Sequence, residues 1–174
     1  MKTIRCAIVL LIIFSLAACS FKPSKDAEGN FREGMASLNA HKDEDAIKSF
    51  DKAIAQNPKY AAAYFYKGTA LFSLGKRTEA VEAYNKSAEF APNIAQTYYN
   101  RGNALASIGM HGEAVASYDK TIELAPKHVK AYYNRGLELI KMGKMDEARK
   151  SFNEAHELDP QAPVPDVPAL DGKK

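Results

Sequence analysis

The chain of 174 residues has no tryptophan and only two cysteines. Cys6 and Cys19 both lie ahead of residue 20. The rest of the sequence can therefore carry neither a disulfide framework nor a thiolate metal site. Four histidines are present, His41, His111, His128 and His156. None stands at helical spacing from another histidine or a cysteine, so no metal-ligand pattern forms. There is no glycine-rich phosphate loop and no serine in a nucleophile-elbow context. Asn85-Lys86-Ser87 spells a glycosylation acceptor but falls within a helical pattern. No apolar run reaches the roughly 20 residues of a membrane span. With these elements missing, the expectation is a non-enzyme with no cofactor and no metal.

What the sequence does have is a period. Four residue types recur every 34 positions. Glycine stands at Gly34, Gly68, Gly102 and Gly136, and alanine at Ala46, Ala80, Ala114 and Ala148. An aromatic stands at Phe50, Tyr84, Tyr118 and Phe152, and proline at Pro58, Pro92, Pro126 and Pro160. A fixed period of this length is the mark of a solenoid. The copies are 27–60, 61–94, 95–128 and 129–162. Each reads as two helices, such as Ala61–Leu74 followed by one starting near Thr78 and stopping before Pro92. Gly75, Gly109 and Gly143 fall between them, where a helix end favours a residue able to take positive φ. Proline lacks an N–H and turns the preceding residue away from the helical region, which closes the second helix. Gly68, Gly102 and Gly136 lie inside the first helix, where glycine costs about 1 kcal/mol against alanine. A cost repeated in every copy implies close packing, and the expected neighbour is the small alanine of the partner helix.

This pattern resembles the tetratricopeptide repeat family across 27–162. Tyr64, Gly68, Leu71, Ala80, Tyr84 and Pro92, with their counterparts in the later copies, carry the resemblance. It implies an all-α, right-handed α-solenoid of four helix-turn-helix repeats. The end copies depart from the pattern. Asn30 stands where Tyr64, Tyr98 and Tyr132 stand, and Ser37 replaces a leucine. Arg149 and His156 replace apolar residues of the earlier second helices. A polar last helix reads as a built-in cap, which a solenoid needs at its ends.

The N-terminus carries Lys2 and Arg5, then an apolar run over 6–17. That is the layout of a signal peptide. Leu16-Ala17-Ala18-Cys19 resembles the bacterial lipoprotein box. The resemblance implies removal of residues 1–18 and lipidation (palmitate among the chains) of Cys19, which would anchor the protein without spanning the membrane. The plainer reading is a secretory signal with an incidental cysteine. The precursor has 24 Lys+Arg and 21 Asp+Glu. Loss of Lys2 and Arg5 leaves 22 against 21, so the basic balance is no argument for nucleic acid. Residues 19–26 form a short polar linker, and Ser20 resembles the outer-membrane default of such lipoproteins. Beyond the repeats, 163–174 is proline-rich, with Pro163, Pro165 and Pro168 against regular helix. Its two readings are a solvated, disordered tail and a ligand for a partner or for the protein's own groove.

Residues at i, i+4 and i+7 share a helix face. Tyr64, Gly68 and Leu71 form the stripe toward the second helix. The next stripe, Phe65, Thr69 and Phe72, lines the concave surface in the resembled family. An aromatic leads this stripe in every copy: Phe31, Phe65, Tyr99 and Tyr133. These rings either pack within the solenoid or anchor a bound segment. Asn100, Asn103 and Asn134 offer donors and acceptors to an extended backbone. Lys130 adds a positive charge, and Leu137 continues the apolar surface. The carboxylate clamp of chaperone-binding members is matched at Asn100 and Lys130 only. Phe65, Thr69 and Asn134 break it, so a chaperone tail is not the expected ligand. The expectation is a membrane-anchored periplasmic scaffold, at the outer membrane, whose groove holds a segment of another envelope protein in pilus, outer-membrane or peptidoglycan assembly. The alternative is a regulatory repeat subunit of an envelope enzyme, such as a glycosyltransferase or peptidoglycan hydrolase. Asn100 and Asn134 match two rungs of the asparagine ladder of repeat-bearing glycosyltransferases, but Arg32 and Tyr66 break the others.

Overall fold

A computed structural model describes residues 25–165. The leader 1–18, Cys19, most of the linker and the distal tail lie outside the described residues. The chain folds into α1 (Lys25–Asn39), α2 (Asp43–Gln56), α3 (Ala61–Ser73), α4 (Arg77–Phe90), α5 (Ala95–Ser107), α6 (His111–Leu124), α7 (Val129–Lys141) and α8 (Met145–Leu158). No strand occurs among the described residues. Each second helix ends two residues before the proline of its copy, as at Phe90 and Pro92, with Ala91 as the capping residue. Gly75, Gly109 and Gly143 hold φ of 77°, 78° and 75° in the turns between paired helices. The first copy has His41 at this place, and it takes φ 55° without being glycine.

Packing is between neighbours in sequence. Each helix packs on the one before and the one after. The odd-numbered helices also touch one another, α1 with α3, α3 with α5 and α5 with α7. No two even-numbered helices touch. The array therefore curves, with α1, α3, α5 and α7 on its inner side. Stability in such an array is a sum of nearest-neighbour terms. The core accordingly divides into small clusters, four of them built on the buried alanine and aromatic of an even helix: Ala46 with Phe50, Ala80 with Tyr84, Ala114 with Tyr118, Ala148 with Phe152.

The recurring glycines differ from expectation in their neighbour. They face the aromatic ring of the partner helix, not its alanine. A Cβ built on Gly102 would lie 2.6 Å from the Tyr118 ring, and one on Gly68 would lie 2.8 Å from the Tyr84 ring. Gly34 and Gly136 meet Phe50 and Phe152 in the same way. The ring fills the space a side chain would take, so each glycine pairs with the large residue, and the alanine buries separately.

Ion pairs bridge successive copies at one register. Lys67 Nζ lies 2.6 Å from Asp51, and Arg135 Nε lies 3.4 Å from Asp119. The middle junction has Arg101 and Asn85 at these places, and Arg101 Nε is buried without a hydrogen-bond partner. Asn85→Asp should restore the pair. Such pairs contribute about 0.2–1 kcal/mol, so the melting temperature is expected to rise by a degree or two. An unchanged or lower value in a thermal melt at low salt would contradict this account of the junction.

Candidate functional site

The inner helices present one aromatic each at the same register, and each ring rests on the aromatic of its partner helix. Centroid separations are 5.7 Å for Phe31–Phe50, 5.9 Å for Phe65–Tyr84, 6.1 Å for Tyr99–Tyr118 and 5.4 Å for Tyr133–Phe152. All four of these inner-helix rings are half-buried. They do not stand free of the helix pairs: one side joins the core and the other is left to the groove. Phe72 is 37% exposed on α3, and Thr69 and Leu137 are half-buried on the same surface.

The three asparagines are half-buried and partly engaged. Tyr118 Oη donates to Asn103 Oδ1 at 2.8 Å, and Asn134 Nδ2 donates to the same oxygen at 3.0 Å. Asn134 Nδ2 also reaches the Tyr99 hydroxyl at 3.3 Å. Asn100 Oδ1 accepts from Gln96 Nε2 at 2.8 Å. One amide edge of each is thus held by the protein. Among the described residues, Asn103 Nδ2 and Asn134 Oδ1 have no partner, which leaves a donor and an acceptor open to the groove. Thr69, Phe72, Ser73, Tyr84, Asn100 and Asn103 enclose a cleft of about 180 Å³. Lys130 is exposed and makes no ion pair among the described residues.

Two hydroxyls were not singled out by the sequence reading. Tyr84 and Tyr118 are core residues, and their buried hydroxyls lie just beneath the groove floor, against Thr69 and Asn103. The signal was tyrosine in the two middle copies where the end copies carry phenylalanine. Burial pushes both phenols above the usual tyrosine range, and the Glu138 charge adds to this at Tyr118. Glu138 is the other omission. It stands where Ala36, Ala70 and Ala104 stand, only 4% exposed, and contacts His111 Nδ1 at 2.6 Å and Lys141 Nζ at 2.8 Å. It ties the start of α6 to the end of α7. His128 Nδ1 accepts from the Ala131 amide, and its ring packs at a tilt against Tyr99, with centroids 4.6 Å apart.

A curved array of paired helices with a half-apolar, hydrogen-bonding inner face is an α-solenoid protein-interaction scaffold. The tetratricopeptide repeat family matches 31–93, 95–128 and 129–161, and the chain belongs to that family. The fold is also that of solved structures titled MamA. One, "Crystal structure of MamA", is 29% identical with TM-score 0.76, covering 78% of this chain and 80% of that one. A second, "Crystal structure of MamA protein", is 29% identical with TM-score 0.74 over 78% of this chain and 74% of that one. A third, MamA from Desulfovibrio magneticus RS-1, is 22% identical with TM-score 0.75 over 80% and 78% of the two chains, and shows the fold alone. No curated protein matches the chain.

Proposed function

We propose that the protein is a lipid-anchored scaffold of the bacterial envelope whose groove holds an extended segment of another envelope protein. The observation that carries the binding reading is the groove floor of copies two to four. There, half-buried rings lie beside tyrosine hydroxyls and the unpartnered amide edges of Asn103 and Asn134. An apolar surface with a few fixed polar groups is what a peptide site needs. No group of three His, Cys, Asp or Glu among the described residues could hold a metal. The reading as a regulatory enzyme subunit is less well supported, because the asparagine ladder has only two rungs, with Arg32 and Tyr66 at the other two places.

The anchor is supported by the Leu-Ala-Ala-Cys box after a short apolar run. Cys19→Ala should abolish incorporation of labelled palmitate and release the protein from membranes. Continued labelling, or sedimentation with membranes after a carbonate wash, would remove the lipoprotein reading. For the groove, affinity capture with the mature protein from lysate of its own source should recover one dominant envelope protein, and a hydrolase activity with no partner would oppose it.

A further inference from the structure

Four residues close the four copies, Tyr60, Ile94, His128 and Ala162, and three of them are packed down. The Tyr60 ring lies 5.0 Å from Phe31, the His128 ring lies 4.6 Å from Tyr99, and Ala162 is buried with Tyr132 and Ala155. Ile94 differs, being 49% exposed. The second residue of each copy shows a matching exception. Glu28, Gln96 and Lys130 are long, whereas α3 has Ala62. The two exceptions meet at the junction of α3, α4 and α5. They leave a cleft of about 460 Å³, walled by Ala62, Phe65, Tyr66, Ala91 and Ile94, with Gln96 on its rim. The hydroxyls at its base, Ser87 and Thr97, face each other at 3.5 Å, so the cleft makes no strong demand for a polar occupant.

Ala62, Gln96 and Lys130 hold the same register on α3, α5 and α7, so they form a row along one edge of the groove. Lys130 is the uncompensated charge of this row. Touching inner helices stand about 10 Å apart, a span of about three extended residues. A chain lying along the row meets an apolar cleft first and a free ammonium three to six residues later. We propose that this cleft is the anchor pocket for an aliphatic side chain of a bound segment that also sets a carboxylate against Lys130. The proposal rests on the groove reading above and names the chemistry of its partner: an extended stretch with Leu, Ile, Val or Met and, three to six residues away, Asp or Glu. A filled aliphatic pocket gains from area removed from water, and the cation selects by charge.

The test places a photo-crosslinker in the full chain at Gln96, on the rim, and separately at Phe72, in the groove away from the cleft. Gln96→p-benzoylphenylalanine is expected to capture a segment whose mapped sequence holds the aliphatic and acidic pair. Ala62→Phe fills the cleft, and Lys130→Glu reverses the charge on an exposed side chain. Each should reduce capture about tenfold or more with an unchanged melting temperature. If Ala62→Phe unfolds the chain, Lys130→Glu still decides. Capture at Phe72 with none at Gln96 would overturn the pocket and leave the groove reading standing. Capture at neither would remove both. A mapped segment without the pair, or one that proves to be 163–174 of this chain or a second copy, would overturn the proposed partner, as would undiminished capture by the variants.

Discussion

Gly102→Ala is expected to lower the melting temperature by several degrees, although alanine is the better helix former. The helical gain is up to about 1 kcal/mol. Against it, the new Cβ would stand 2.6 Å from a Tyr118 ring that is 1% exposed and tied to Asn103. The ring cannot move without breaking that bond and opening α5 from α6. Overpacking of this kind costs about 1–3 kcal/mol, which outweighs the gain, and Gly102→Leu should cost more. Gly29→Ala is the control. It also lies in a helix, with nothing within 4 Å of its Cβ position, so there the helical gain should appear undiminished. Matched thermal melts of the variants decide the matter. If Gly102→Ala melts as high as Gly29→Ala, the glycine–ring contact is not what holds each pair together.

Replacing Tyr99 and Tyr133 together by alanine should weaken partner binding by more than tenfold. Truncation of an aromatic anchor typically costs about 2 kcal/mol or more, and tenfold corresponds to about 1.4 kcal/mol. The rings also lie on Tyr118 and Phe152, so the double variant should lose some thermal stability while keeping helical circular dichroism at room temperature. Tyr99→Phe with Tyr133→Phe separates the two roles. It keeps the ring contacts and removes the hydroxyl that accepts from Asn134, so it should retain the fold and most of the affinity. A folded alanine double variant that binds normally would withdraw the groove assignment.

The fold was legible because its signals are local and repeated. A glycine able to take positive φ marked three of the four turns, and a proline stopped each second helix. The fourth turn was less legible because His41 does the work of a glycine. Periodicity also found the inner stripe, since side-chain direction follows from helix register. It could not find what a ring rests on. The Gly102–Tyr118 pairing depends on the approach of two helices and on which of two partner residues points inward, and neither is written in spacing. The same limit hid the cleft at Ile94. Its opening depends on one residue of α3 being small and one in the α4–α5 connection being turned away at once. Glu138 could have been noticed as a charged residue in a column of alanines, but its partners His111 and Lys141 required three dimensions.

The inner face is the proposed binding surface. The most direct measurement is hydrogen exchange of the full chain with and without the captured partner segment. The account predicts slowed exchange in α3, α5 and α7, strongest over Ala95–Ser107, with α4, α6 and α8 unchanged at their outer turns. Slowing confined to the even helices or to 163–174, with the inner helices exchanging as before, would contradict it.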